Sequence, residues 1–229
     1  MNVITNKIDY YINLLKTDQK FSFTRWGDGE WGCLFGEQGQ NCDGHEFFKD
    51  LSHQLLNVFT KPLKYYIATW PMDVPMMRDM DPQLRSYVQG LDIKFQDATI
   101  WEEAAMAGKL APLVTQLESM NFVMISESTK RNLPMDIKEF IDIPSKNCFL
   151  EKERIKQDIL NILDKYKNPV FGFSASMATN VIVDELFDEI GDKCWMIDFG
   201  SIWEPFLKIQ PGTGKHSRTY HRQYKTREL

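Results

Sequence analysis

The chain is predicted to fold as an α/β protein with a Rossmann-like, mostly parallel sheet flanked by helices on both faces. Three observations predict this. Short apolar runs of strand length alternate with segments of helical periodicity over most of the 229 residues. Pro, Gly and small polar residues punctuate the joins. A chain of this length buries a sizeable core as one domain.

Residues 6–16 place Ile8, Ile12 and Leu15 at helical spacing, and Phe21–Arg25 reads as a short strand entering a glycine-rich turn. His45–Phe59 carries Phe48, Leu51, Leu55 and Phe59 on one helical face, Tyr65–Thr69 is a strand, and Pro71 and Pro75 enforce a loop after it. Glu102–Met120 reads as a helix in which Pro112 either kinks the axis or starts a second part. Phe122–Ser126 and Phe140–Ile143 read as strands, the latter stopped by Pro144. Ile155, Ile159, Ile162, Leu163 and Tyr166 mark a helix. Val170–Phe173 is a strand, Met177–Ile190 a helix stopped at Gly191, and Trp195–Phe199 the last strand. Strands separated by helices require crossover connections and hence parallel pairing. Residues 1–207 are expected to form a single catalytic domain and 208–229 a basic tail.

With 43% hydrophobic and 26% charged residues the composition is that of an ordinary globular protein. No run reaches the roughly 18 apolar residues of a membrane span, and the first residues lack the pattern of a signal peptide, so a cytoplasmic location is expected (host cytoplasm for a phage-encoded chain). None of the 4 cysteines forms a C-x-x-C pair. Cys33, Cys42 and His45 resemble half a zinc site without a second tight ligand pair, and free thiols on a partly buried loop are the favoured reading. The net charge of −5 is uneven, because the tail from Lys208 holds six Lys or Arg against one Glu. Such a tail is suited to an anion: a diphosphate, a nucleic acid or the acidic body itself.

In open α/β sheets ligands bind at the carboxyl ends of strands. The first such place is Arg25-Trp26-Gly27-Asp28-Gly29-Glu30. In an extended loop residues i and i+2 point the same way, so Asp28 and Glu30 would offer oxygens to one Mn²⁺ or Mg²⁺, completed by substrate phosphates. Gly27 and Gly29 would allow close backbone approach, and Arg25 would pair with Asp28 or grip a phosphate. By spacing alone a polar turn with a structural Arg–Asp pair fits equally well. Ser174 and Ser176, between a strand and a helix, would bind phosphate or sugar oxygens or simply cap the helix. Ser126–Lys130 occupies a similar position with no clear helix after it. Asp198 and Glu204, at and beyond the last strand, are candidates to orient a substrate hydroxyl or act as base, or are a cap and a surface carboxylate. Asp97, Glu102 and Glu103 are acid/base candidates on a strand-to-helix turn, or acidic residues offsetting a helix dipole. In the tail, Lys215, His216, Arg218 and Arg222 would neutralise a diphosphate as a lid. Their interleaving with Tyr220 and Tyr224 would also suit nucleic acid, and a disordered end fits as well.

At FSFTRWGDGE the sequence resembles the GT-D class of nucleotide-sugar glycosyltransferases, whose members carry a strand followed by an R-x-G-D-G-E element. IPSKNCF, the strand-turn-helix over Val170–Leu186 and WMIDFGSIWEPF extend the resemblance over most of residues 20–206. It implies a Rossmann-like fold, a divalent cation, and transfer of a sugar from a nucleoside-diphosphate donor, a UDP-sugar foremost, to an acceptor hydroxyl. Asp28 and Glu30 match the metal and donor motif, Arg25 and Gly27 its frame, and Asp198 and Gly200 the late D-x-G element. After that element the chain departs, reading SIWEPF where the better-known bacterial members carry a histidine and further acidic residues. The acceptor is left open between a glycan and a hydroxymethylated base in phage DNA. Two competing expectations are a nucleic-acid-binding or processing protein that uses the tail, and a metal-dependent phosphohydrolase that uses the same carboxylates.

Overall fold

Eight strands carry the apolar runs into one sheet among the described residues, 3–71, 82–207 and Leu229, of a computed structural model. In chain order the elements begin with β1 (Val3–Ile4), α1 (Ile8–Lys16), β2 (Ser22–Trp26), α2 (Asp28–Leu34), α3 (Lys49–Val58) and β3 (Tyr66–Thr69). They continue with α4 (Pro82–Gln89), β4 (Phe95–Asp97), α5 (Ile100–Met106), α6 (Ala111–Glu118), β5 (Asn121–Ser126) and β6 (Glu139–Asp142). The chain then forms α7 (Lys152–Lys165), β7 (Pro169–Phe173), α8 (Ala178–Ile190) and β8 (Trp195–Asp198). Short 3-10 turns occupy Ser128–Asn132, Cys148–Glu151 and Glu204–Phe206.

Every strand pair is parallel, in the order β1-β4-β3-β2-β8-β7-β5-β6. The first four strands of the chain thus make one half of the sheet and the last four the other, joined where β2 pairs with β8. Parallel pairing puts all carboxyl ends on one edge, and this join is the place where the two halves can hold a ligand between them.

Alternation along the strands feeds two apolar clusters. Phe122 and Met124 of β5 and Ile197 of β8 pack with α1, α5 and α6. Val123 and Ile125 of β5 and Met196 of β8 pack with α2, α3, α7 and α8 on the other face. Both faces are therefore covered, as expected for a parallel sheet. No helix among the described residues is long and apolar enough to cross a membrane.

Three expectations are corrected. The helix read as His45–Phe59 starts only at Lys49. Asn41 instead closes a local turn, its side-chain oxygen accepting from the His45 N–H at 3.0 Å while Gly44 takes φ +83°. Side-chain-to-backbone bonding of this kind competes with helix. The single helix read over Glu102–Met120 is two, α5 and α6, divided at Gly108 with φ +67°, and Pro112 lies in the first turn of α6. The extended loop read at Asp28–Glu30 is the first turn of α2. Glycines at 27, 29 and 32 argue against helix by propensity, but burial of Trp31 overrides them. Its ring lies 5.0 Å from that of Trp26 and stacks at 5.4 Å on Phe59, and its N–H donates to Thr69 Oγ1 at 3.3 Å.

Trp31 therefore anchors the turn carrying Asp28 and Glu30. Trp31→Ala should destabilise the fold by about 3–5 kcal/mol, read from the midpoint of urea unfolding. A loss below about 1 kcal/mol would contradict this packing.

Candidate functional site

At the β2–β8 join a cleft of about 570 Å³ opens along the carboxyl edge of the sheet. Four strand ends supply its floor: Arg25, Gly27, Asp28 and Glu30 after β2, Asp198 and Gly200 after β8, Ser174 and Ser176 after β7, and Glu127 and Lys130 after β5. The 41–45 loop and the 143–146 segment form the walls, and Glu204 and Trp70 complete the lining.

On a helix, residues i and i+2 are about 200° apart, so Asp28 and Glu30 do not project side by side. Glu30 curls back instead, its Oε2 accepting from the Gly27 N–H at 2.8 Å, the N-terminal cap of α2. Burial pushes the Glu30 carboxyl up to about 7, aided by the nearby negative charges of Asp198 and Asp43. A side chain at Gly27 would come within 3.2 Å of both Glu30 Oε2 and Trp70 Nε1.

Arg25 turns toward β8. Its Nη1 donates to the Phe199 carbonyl at 3.4 Å, and no ion pair joins it to Asp28 among the described residues. Burial pushes Asp198 up to about 6, against the opposing pull of the Arg25 charge and the Gly200 N–H, which donates to Asp198 Oδ1 at 2.9 Å. Gly200 adopts φ +56°, a region glycine enters without strain, and a Cβ there would lie 1.8 Å from Arg25 Nη1, so a side chain at this position would displace the guanidinium.

Neither serine caps the following helix. Ser174 Oγ donates to the Gly200 carbonyl at 2.6 Å, and Ser176, at φ +50°, accepts from Asn41 Nδ2 at 2.7 Å. Asn41 in turn approaches α2 so closely that a Cβ at Gly29 would lie 2.8 Å from its own Cβ. His45 Nδ1 accepts from the Asn147 N–H at 3.1 Å, and burial lowers the pKa of its ring. This favours the neutral imidazole with a proton on Nε2. Asn41, Asp43, His45 and Lys146 thus join the site as wall residues, and Lys130 as part of its floor. Of these, the sequence singled out only His45, for zinc, and Lys130, in the weakly read Ser126–Lys130 turn.

Glu102 does not line the cleft and lies buried on α5, while Asp97 caps its own turn, accepting from the Thr99 N–H at 2.8 Å and hydroxyl at 2.6 Å. Lys215, His216, Arg218 and Arg222 lie outside the described residues. None of the four cysteines, all among the described residues, is in a disulfide, and Cys33 is buried in α2 whereas Cys42 is exposed.

No three His, Cys, Asp or Glu side chains among the described residues converge as a metal cage. The zinc reading of Cys33, Cys42 and His45 therefore finds no such group. A harder cation needs less. Among the described residues buried Asp43 Oδ1 has no hydrogen-bond partner, and the charges of Asp43 and Asp198 both bear on Glu30. Uncompensated carboxylates beside the half-buried Asp28 fit a Mg²⁺ or Mn²⁺ held by one or two of them and completed by substrate phosphates.

No family model matches the chain, and no curated protein sequence matches it. Two solved structures share its fold. One, a selenomethionine-substituted structure of domain of unknown function 1792, superposes with a TM-score of 0.67 at 15% identity over 99% of this chain and 90% of that one. The other, described as showing that domain of unknown function 1792 has a distinct glycosyltransferase fold, gives 0.65 at 16% identity over the same shares. The chain therefore has the fold of these neighbours.

Glu30 is raised from an ordinary value of 4.5 to about 7, so it costs stability once ionised. The stability present below pH 4.5 is lost as pH rises through about 7. Glu30→Gln keeps an acceptor for the Gly27 N–H and should flatten that part of the decline. In a pH 4–8 series of melting curves, the variant should gain on the parent as pH rises. A constant difference between the two would contradict the buried, proton-retaining carboxyl.

Proposed function

We propose that the chain is a metal-dependent glycosyltransferase that moves a sugar from a nucleoside-diphosphate donor, a UDP-sugar foremost, to an acceptor hydroxyl. The observation that carries this reading is the gathering of Asp28, Glu30, Asp43 and Asp198 in one cleft at the β2–β8 join. It occurs on a fold shared with a domain described as having a glycosyltransferase fold.

Asp28, with Glu30 and Asp43 behind it, would hold Mn²⁺ or Mg²⁺ against the donor diphosphate. When bound, the cation supplies charge neutralisation for the departing diphosphate. The chain's own groups do the remaining work. Ser174 and Ser176 border the phosphate end, and Lys146 adds a cation on the facing wall. Asp198 holds Arg25 and the Gly200 turn in place, which fixes the β8 side of the donor pocket. Glu204, which lines the same cleft, would accept the proton of the attacking hydroxyl. In the transfer, the bond from the acceptor oxygen to the anomeric carbon forms as the bond from that carbon to the diphosphate oxygen breaks. The electron pair leaves on the diphosphate, and the hydroxyl proton passes to Glu204.

Asp43 and Asp198 press their negative charge on Glu30, which a cation would offset, so catalysis and cation affinity should fall together. Asp28→Asn and Glu30→Gln should each lower Mn²⁺-dependent turnover of a nucleoside-diphosphate sugar by ~10³-fold, with circular dichroism unchanged. Normal turnover in both variants would sink the assignment. Phosphate or nucleotide release with no sugar reaching any acceptor would favour a phosphohydrolase.

A further inference from the structure

Lys130 is a buried ammonium that belongs to no element of the donor pocket. Its side chain is only 4% exposed, yet it lines the cleft. It follows β5 in the Ser128–Asn132 turn, whose first backbone bond runs from the Lys130 N–H to the Glu127 carbonyl at 3.1 Å. Two carboxylates flank it. Glu127 Oε1 lies 3.6 Å from Nζ, and Glu204 Oε1, reaching from beyond β8, lies 3.9 Å away. Between β8 and β5 in the sheet stands β7, so these two carboxylates reach the ammonium from either side of a strand. Counted from β2, Lys130 follows the third strand along the cleft.

Both distances mark ion pairs too long for direct hydrogen bonds. Among the described residues Lys130 Nζ makes no hydrogen bond, although an ammonium carries three donors. Burying an ammonium is costly unless its donors and charge are satisfied. Two acceptors with a donor between them, each separated by a gap of this size, match a ligand that can both give and take hydrogen bonds. A pair of neighbouring hydroxyls does so. A phosphate does not, because it offers acceptors only and meets two negative charges against one positive.

We infer that Glu127, Lys130 and Glu204 form the acceptor subsite, and that it takes adjacent hydroxyls of an uncharged acceptor. This rests on the transferase reading above. It gives the proton-accepting Glu204 a partner that fixes its position, and it assigns the cleft end that the donor leaves open. It also argues against a nucleic-acid strand lying along this part of the cleft.

The test uses the full chain with Mn²⁺ and a UDP-sugar, comparing a neutral methyl glycoside with a hydroxymethylated oligonucleotide as acceptor. Lys130→Met, Lys130→Arg and Glu127→Gln are each scored for transfer and for donor hydrolysis without acceptor. Lys130→Met should raise the glycoside KM about 10–100-fold, well beyond its effect on hydrolysis, and Lys130→Arg should recover part of the loss. Glu127→Gln should raise the same KM to a smaller extent. It decides the matter if Lys130→Met does not fold, because Glu127 lies nearer the rim. An unchanged KM, equal losses in hydrolysis and transfer, or preference for the oligonucleotide would each overturn the subsite. If the parent chain consumes no donor with or without an acceptor, the transferase reading itself fails and the subsite falls with it.

Discussion

Arg25 reaches from β2 to the end of β8 where the two halves of the sheet join, and the rest of the cleft is arranged around that contact. The guanidinium reaches from the end of β2 to the Phe199 carbonyl and draws down the buried Asp198 carboxyl. Asp198 fixes the Gly200 N–H, and glycine at 200 takes its positive φ without strain and leaves the space the guanidinium fills. Ser174 then ties the end of β7 to the Gly200 carbonyl. Three adjacent strand ends are thereby set at fixed spacing before any ligand arrives, the preorganisation that a transfer reaction needs.

The electrostatics of the cleft follow from this frame. Burial raises Glu30 and Asp198 toward neutral pH, because ionised carboxyls there lack enough compensating charge. Such a cluster is costly to the empty fold, a cost that a cation bound as proposed would offset. Stability is spent at the site, as is common where function demands unpaired groups. At the far end Lys130 gives Glu127 and Glu204 a charge partner from within the chain, so that end needs no cation.

Much of this was legible in the sequence. The alternating apolar runs predict the parallel sheet because a strand buried on both faces must be apolar throughout. The R-x-G-D-G-E and D-x-G elements lie where the sheet reverses from one half to the other. Two kinds of feature escaped. Asp28–Glu30 is helical where the sequence predicts an extended loop, because its glycines suppress helix propensity and the buried Trp31 tips the balance. The cleft walls were invisible because their contacts join distant segments. Asn41 meets Ser176 across 135 positions, and His45 meets Asn147 across 102. No spacing pattern reports such pairs, and topology alone brings them together.

The central claim is that the carboxylates at the β2–β8 join bind a divalent cation and a nucleoside diphosphate as one unit. The most direct measurement is the melting temperature with Mn²⁺ alone, UDP alone, and both together. Ligands that complete each other's coordination stabilise the folded state beyond the sum of their separate effects. The account predicts a joint shift larger than the sum, lost in Asp28→Asn. Purely additive shifts, or a joint shift that survives in Asp28→Asn, would contradict it.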